Sequence, residues 1–155
     1  MEGKVDPKRL MGTWYVQRQK PALGLLENGA RNGVEKYELN DDGSFAVEYT
    51  LNRKNADKDA VTTVRQRGWF ASEQGTQWEV APVIGSFRPP VRLPFIILDA
   101  DPKTFMVCTG GLKSWMYVMT RERKPDAALV DACLATVAAA GFDMSQVQIM
   151  EHDGS

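Results

Sequence analysis

The sequence predicts an all-β fold: an eight-stranded up-and-down antiparallel barrel, with one C-terminal α-helix packed on its outside. Three observations predict it. Clusters of Gly, Pro, Asn and Asp recur at short intervals, and the segments between them are rich in β-branched and aromatic residues. Several of those segments alternate apolar and polar residues with a period of two, the mark of a strand with one wet face. The last three are instead continuously apolar, and a helical pattern follows them. At 155 residues the chain suits one domain, 1–155, with a full-sized core.

Strands are expected near 13–20, 34–40, 44–52, 61–72, 76–81, 93–99, 104–109 and 114–121, so the barrel runs over about 12–121. The turns between them include Asn40-Asp41-Asp42-Gly43, Arg53-Lys54-Asn55-Ala56-Asp57, Glu73-Gln74-Gly75, Asp99-Ala100-Asp101-Pro102 and Thr109-Gly110-Gly111. In the third strand Phe45, Val47, Tyr49 and Leu51 share one face, opposite Ala46, Glu48, Thr50 and Asn52. The second sets Tyr37 and Leu39 against Lys36 and Glu38; the fifth sets Trp78 and Val80 against Gln77 and Glu79. Phe95-Ile96-Ile97-Leu98, Phe105-Met106-Val107-Cys108 and Trp115-Met116-Tyr117-Val118-Met119 are unbroken apolar runs, as in strands covered on both faces.

The cover is the next segment. Pro125 and Asp126 suit a helix start and Gly141 a stop, giving a helix over about 125–140 with Leu129, Cys133, Val137 and Ala140 on one stripe. It is expected to dock over strands six to eight. A tail over about 146–150 reads as an added edge strand. The one long early loop, Pro21 to Asn32, carries Leu23, Leu25 and Leu26, which either cap the barrel mouth or fill a gap on the outer wall.

These residues resemble the lipocalin family. Gly12-Thr13-Trp14 is similar to its Gly-x-Trp opening motif. Ile97 to Pro102, followed by Phe105 to Cys108, resembles the second motif, and Trp115 to Arg121 the third, which ends in an arginine. The likeness covers about residues 5–150 and is nearest to bacterial outer-membrane lipocalins and plant temperature-induced lipocalins. It implies a barrel that carries a small hydrophobic ligand. It also implies that Trp14 plugs the narrow end, that Arg121 stacks on it in a cation–π contact, and that Gly12 permits the tight entry to the first strand. These three are read as structural.

An eight-stranded barrel is just wide enough for one small ligand. The candidate lining is Tyr37, Phe45, Val47, Tyr49, Leu51, Phe70, Trp78 and Val80, joined by Phe95, Ile97, Cys108, Trp115, Tyr117 and Met119 from the last strands. Such a wall favours a fatty acid, lysophospholipid, isoprenoid or pigment over a sugar or nucleotide. Two charges fall on the inward parity, Arg18 with Trp14 and Val16, and Glu35 with Tyr37 and Leu39. Arg18 is expected either to receive an anionic ligand head or to pair with Glu35 or water at the rim. Arg88-Pro89-Pro90-Val91-Arg92 is a stiff basic loop, read as solvated or as a weak contact to a membrane surface.

Composition narrows the classes further. Net charge is -1 with no basic run, so no nucleic-acid partner is expected. No apolar run approaches the roughly 20 residues of a membrane helix. The start has no signal-peptide pattern, which reads as cytoplasmic if Met1 is the native start and as exported or organellar if a presequence was lost. Cys108 and Cys133 read as free thiols. The only histidine is His152, in the tail, so Ser–His and Cys–His catalysis and close-set zinc ligands find no support. No enzyme activity and no cofactor are expected. The alternative is a barrel turned isomerase or de-epoxidase on a lipid or carotenoid, with a carboxylate such as Glu35 working beside a tyrosine.

Overall fold

In a computed structural model, which describes residues 6–21, 29–55, 57, 60–72, 75–88 and 90–153, eight strands run up and down in chain order. They are β1 (Gly12–Lys20), β2 (Arg31–Leu39), β3 (Phe45–Asn52), β4 (Val61–Phe70), β5 (Gln77–Val83), β6 (Leu93–Asp101), β7 (Phe105–Gly110) and β8 (Met116–Thr120). Each pairs antiparallel with the next. β1 pairs with both β2 and β8, so the sheet closes on itself. Closure removes the exposed edges that an open sheet would carry. Leu23, Leu25 and Leu26 of the early loop, and Pro89 of the basic loop, lie outside the described residues.

One end of the barrel is shut. A 3-10 helix, Pro7–Leu10, is started by Asp6, whose carboxylate accepts from the Lys8 amide at 3.0 Å. It lays Leu10 across the opening, fully buried. Trp14 sits behind it and donates its indole N–H to the Leu10 carbonyl at 2.8 Å. Arg121 covers the other face of that ring at 3.7 Å and donates to the carbonyls of Pro102, Thr13, Met11 and Arg9. Gly12 has φ +101, and a Cβ there would press on the Arg121 guanidinium at 3.1 Å. The three motif residues are thus one construction: the glycine makes room for the arginine that clamps the tryptophan.

The helix, α1 (Ala127–Ala139), packs outside against β6, β7 and β8. Asp126 is its N-cap residue, and Gly141 follows its end at φ +93. Cys133 and Val137 lie buried with Val107, Met116, Val118 and Phe142 in a second core outside the barrel wall. Val130, not Leu129, is the buried residue of its first turn. The unbroken apolar runs are explained: one face of each strand looks into the barrel and the other under the helix.

Beyond Tyr15 the first two strands part, because β1 pairs with β2 only over residues 12–15. The tail fills the gap. β9 (Gln148–Ile149) pairs with β1 at Arg18 and Gln19, and Glu151 accepts from the Asn32 amide on the β2 side at 2.8 Å. Met150 enters the main core through this seam at 2% exposure. Gly33 of β2 makes the space: a Cβ there would lie 2.9 Å from both Met150 Cε and the Tyr49 hydroxyl. His152 closes the seam, donating from Nε2 to the Val16 carbonyl at 2.7 Å.

Irregularities in three strands change which faces their residues show. The register shifts between Val16 and Arg18, between Arg31 and Val34, and between Ile97 and Asp99. A bulge inserts one residue and so inverts the alternation beyond it. In β1 this overturns the inward placement of Arg18. Arg18 stands opposite Val118, which belongs to the outer core under the helix; Gln19 stands opposite Tyr117 and is buried instead.

Candidate functional site

The barrel interior is built by cross-strand register. Glu35 of β2 stands between Trp14 on one side and Tyr49 on the other, and Tyr49 stands opposite Val64. Ile97, Cys108 and Tyr117 are cross-strand neighbours from β6 through β8, and Met106 and Met119 lie on the same inward face. Directly opposed residues share a face, so these rows define the inner wall.

The half towards the closed end is packed solid with aromatic rings. Trp78 and Phe95 stack at 4.9 Å between centroids, 20° apart. Phe45 meets Trp78 at 4.9 Å and Phe70 at 5.0 Å, and Tyr37 reaches Phe45, Trp78 and Phe95 at 6.0–6.3 Å. Gly68 admits the Phe45 ring, since any Cβ there would overlap its tip. From Phe95 the rings continue through Trp115 at 5.3 Å, Tyr117 at 5.4 Å and Tyr49 at 5.9 Å.

Above this plug a cavity of about 240 Å³ remains. Its apolar wall is Val64, Val80, Leu93, Phe95 and Trp115; its polar groups are Glu35, Gln66 and the two tyrosines, Tyr49 and Tyr117. Burial grades along it. Glu35, Tyr49, Phe95 and Val80 are 4–5% exposed, whereas Leu93 is 50% exposed. Glu35 is therefore at the floor and Leu93 at the mouth.

The electrostatics of the floor are one-sided. Tyr37 donates its hydroxyl to Glu35 Oε2 in a short hydrogen bond. Burial raises the Tyr37 hydroxyl well above the usual phenol range, and the neighbouring Glu35 carboxylate and Cys108 push it the same way. Burial likewise holds the Cys108 thiol far above its ordinary value, with Glu35 adding to it and the backbone of Tyr117 partly opposing. Both groups stay protonated, and such a thiol is a poor nucleophile. On the outer core, burial and Asp99 push Cys133 up to about 11. The two cysteines are unbridged.

Of the residues singled out in the sequence, Glu35, Tyr49, Val80, Phe95, Trp115 and Tyr117 surround the cavity. Tyr37, Phe45, Val47, Phe70, Trp78, Ile97, Cys108 and Met119 belong to the packed interior around and below it. Arg18 belongs to neither: it lies on the outer surface, where its guanidinium donates to the Gln17 carbonyl at 2.9 Å. Val64, Gln66 and Leu93 were not among the singled-out residues. Counting back by twos from Phe70 reaches Gly68, Gln66 and Val64, and that parity was the available signal. In the basic loop, Arg92 turns onto the Trp69 ring at 3.8 Å and towards Glu79, and Arg88 donates to the Gly85 and Phe87 carbonyls.

A family model described as a lipocalin-like domain matches residues 5–152. Similar solved structures include lobster apocrustacyanin A1, with a TM-score of 0.69 at 14% identity, covering 96% of this chain and 79% of that one. Insecticyanin from the tobacco hornworm Manduca sexta aligns with a TM-score of 0.72 at 14% identity, covering 99% and 82%. The siderocalin Ex-FABP, described as functioning through dual ligand specificities, aligns at 0.68 with 11% identity, covering 95% and 97%. No curated protein matches the sequence. At such identities the structural likeness shows the fold.

Proposed function

The chain belongs to the lipocalin family, and we propose that it binds and carries a small hydrophobic molecule in the cavity above Glu35. The observation that carries this reading is the cavity itself: largely aromatic and apolar in its described lining, running from the exposed Leu93 to the buried Glu35, and sealed below by the ring cluster and Trp14. Ligand sites of this kind are concave and mostly apolar, with a few polar groups that fix orientation. The siderocalin named above, described by its ligand specificities, supports the same reading by analogy of fold. At about 240 Å³ the space is smaller than the roughly 300–1,000 Å³ usual for drug-sized ligands. A single acyl or isoprenoid chain suits it better than a polycyclic pigment.

The reading is one of binding without turnover. Cys108 is held protonated and buried. His152 is spent on the Val16 carbonyl in the barrel wall, away from the cavity. The test combines two measurements. Solvent extraction and mass spectrometry of the purified protein are expected to yield an apolar ligand, or else the empty protein binds the neutral apolar probe N-phenyl-1-naphthylamine with one site per chain. Val64→Trp, which fills the cavity from its partly buried wall, is expected to weaken probe binding by on the order of tenfold or more. A clean extract together with no probe binding would sink the carrier reading.

A further inference from the structure

Beyond the carrier reading, and independently of it, we infer that the end of the barrel bearing Leu93 is a docking surface for an anionic lipid bilayer, with the cavity mouth turned towards the lipid. The first observation is where the exposed apolar side chains lie. Successive strands run in opposite directions, so the β3–β4, β5–β6 and β7–β8 connections stand at the end that carries Leu93. Among the described residues, six of the nine exposed large apolar side chains belong to these connections or to the strand ends beside them: Val61, Ile84, Phe87, Val91, Leu93 and Leu112. Single exposed apolar residues are ordinary; their collection at one end of a barrel is not.

The second observation is how they are held. Ile84 and Phe87 exchange both backbone hydrogen bonds, at 3.1 and 2.9 Å, across a two-residue turn that begins with Gly85 at φ +59. Directly opposed residues share a face, so the two side chains project together, 62% and 60% exposed. Leu112 is fully exposed on a backbone with φ 56, which a leucine rarely adopts. Its loop is fixed by Lys20, whose Nζ donates to the Lys113 carbonyl at 2.8 Å. Loops already fixed lose little further freedom when their side chains enter lipid.

The third observation is charge. Among the described residues of the three connections, Arg53, Lys54, Arg88 and Lys113 are exposed cations, Arg92 is engaged with Trp69 and Glu79, and Asp57 is the one acid. This end is cationic in a chain whose net charge is -1. Glu151 and Asp153 lie on the flank of β2, at Arg31 and Asn32. Apolar side chains interspersed with Lys and Arg suit an anionic lipid surface: the apolar groups enter the headgroup boundary while the cations meet the lipid charges. The apolar groups sit on separate loops, and a bilayer, unlike a folded partner, demands no matching shape.

The test is co-sedimentation of the full chain with vesicles of phosphatidylcholine, alone or with about 30% phosphatidylserine. Binding to the mixed vesicles is expected to be on the order of tenfold tighter, and to weaken by about threefold or more between about 0.1 and 0.5 M NaCl. Ile84→Ser with Phe87→Ser, both at exposed positions, is expected to weaken it by on the order of tenfold, and Lys54→Glu with Lys113→Glu to abolish the preference for phosphatidylserine. Leu39→Ser, an exposed apolar position at the closed end, is expected to change nothing. Leu112→Trp is expected to add emission that brominated phosphatidylcholine in the mixed vesicles quenches. No sedimentation with either vesicle, or equal weakening by Leu39→Ser, would refute the docking. So would a chain that dimerises with concentration in sedimentation equilibrium and returns to the monomer on Ile84→Ser with Phe87→Ser, which assigns the patch to a second copy. Neither result touches the carrier reading, whose probe assay contains no vesicles.

Discussion

Replacing Arg121 by Ala isolates the clamp at the closed end. The guanidinium donates to four backbone carbonyls at 2.8–3.1 Å and covers Trp14 at 3.7 Å. Hydrogen bonds from a charged donor contribute about 1.5–3 kcal/mol each where fully desolvated, and neutral ones about 0.5–1.5. Here the accepting residues are half-buried or exposed, so water replaces part of what is lost. Taking about 0.5–0.75 kcal/mol for each of the four, and about 0.5–1 for a cation–π contact at a partly exposed site, gives a loss of about 3 kcal/mol. For a chain of this size that is a fall in Tm of about 6–12 °C. Urea unfolding followed by tryptophan fluorescence, with calorimetry alongside, measures it. Arg121→Lys is expected to recover less than half, because an ammonium is a point charge that cannot span four carbonyls or lie flat on a ring. Probe affinity in the cavity is expected to stay within about twofold of native, since the clamp is at the far end. A loss under about 1 kcal/mol, or full recovery with lysine, would refute the account of the motif as a single clamp.

Two further outcomes follow from the packing. Gly68→Ala forces the fully buried Phe45 ring off its contacts with Phe70 and Trp78, and is expected to cost about 1–3 kcal/mol by the same unfolding assay; a change under about 0.5 would show that the plug yields freely. Stability is also expected to fall in mild acid through His152. Burial lowers its folded value below the ordinary 6.5, and Arg123 and Lys124 add to this against the opposing Val16 bond and Asp153. The unfolded state then binds the proton more readily, so stability is intact above about pH 6.5 and declines as pH drops from there through the lowered folded value. His152→Gln is expected to flatten that decline between pH 7 and 5; an unchanged pH profile would remove the seam histidine as its cause.

Much of the architecture is legible because period-two patterns survive wherever a strand is unbroken. In β3, Phe45, Val47, Tyr49 and Leu51 all point inward as their alternation requires. The apolar runs of β6 to β8 foretell a cover because a strand with no polar face needs one. Arg18 shows where this kind of reading stops. Its misplacement comes from a single inserted residue at Gln17, whose side chain turns out to Thr120 and the Arg123 carbonyl, and nothing in the run Gln17-Arg18-Gln19 announces the insertion. The size of the cavity is beyond pattern for another reason. It depends on how far the Trp78–Phe95 stack and the Phe45 ring fill the barrel, which is a matter of side-chain volumes meeting across strands far apart in sequence. The tail is visible as an edge strand, but its place in the wall follows from β1 and β2 diverging after Tyr15, and no local signal marks that.

The seam between β1 and β2 also sets a timetable for biosynthesis. Val16 waits for His152, which is 136 positions downstream, and Gln17 waits for Thr120, which is 103 downstream. At about 5–20 residues per second of translation, β1 holds an unsatisfied flank for on the order of ten seconds. During that interval the flank is a template for any passing extended segment. Only when residues 148–152 have left the ribosome is there a native partner to occupy it, so a chain stalled or clipped before that segment carries its adhesive edge on β1.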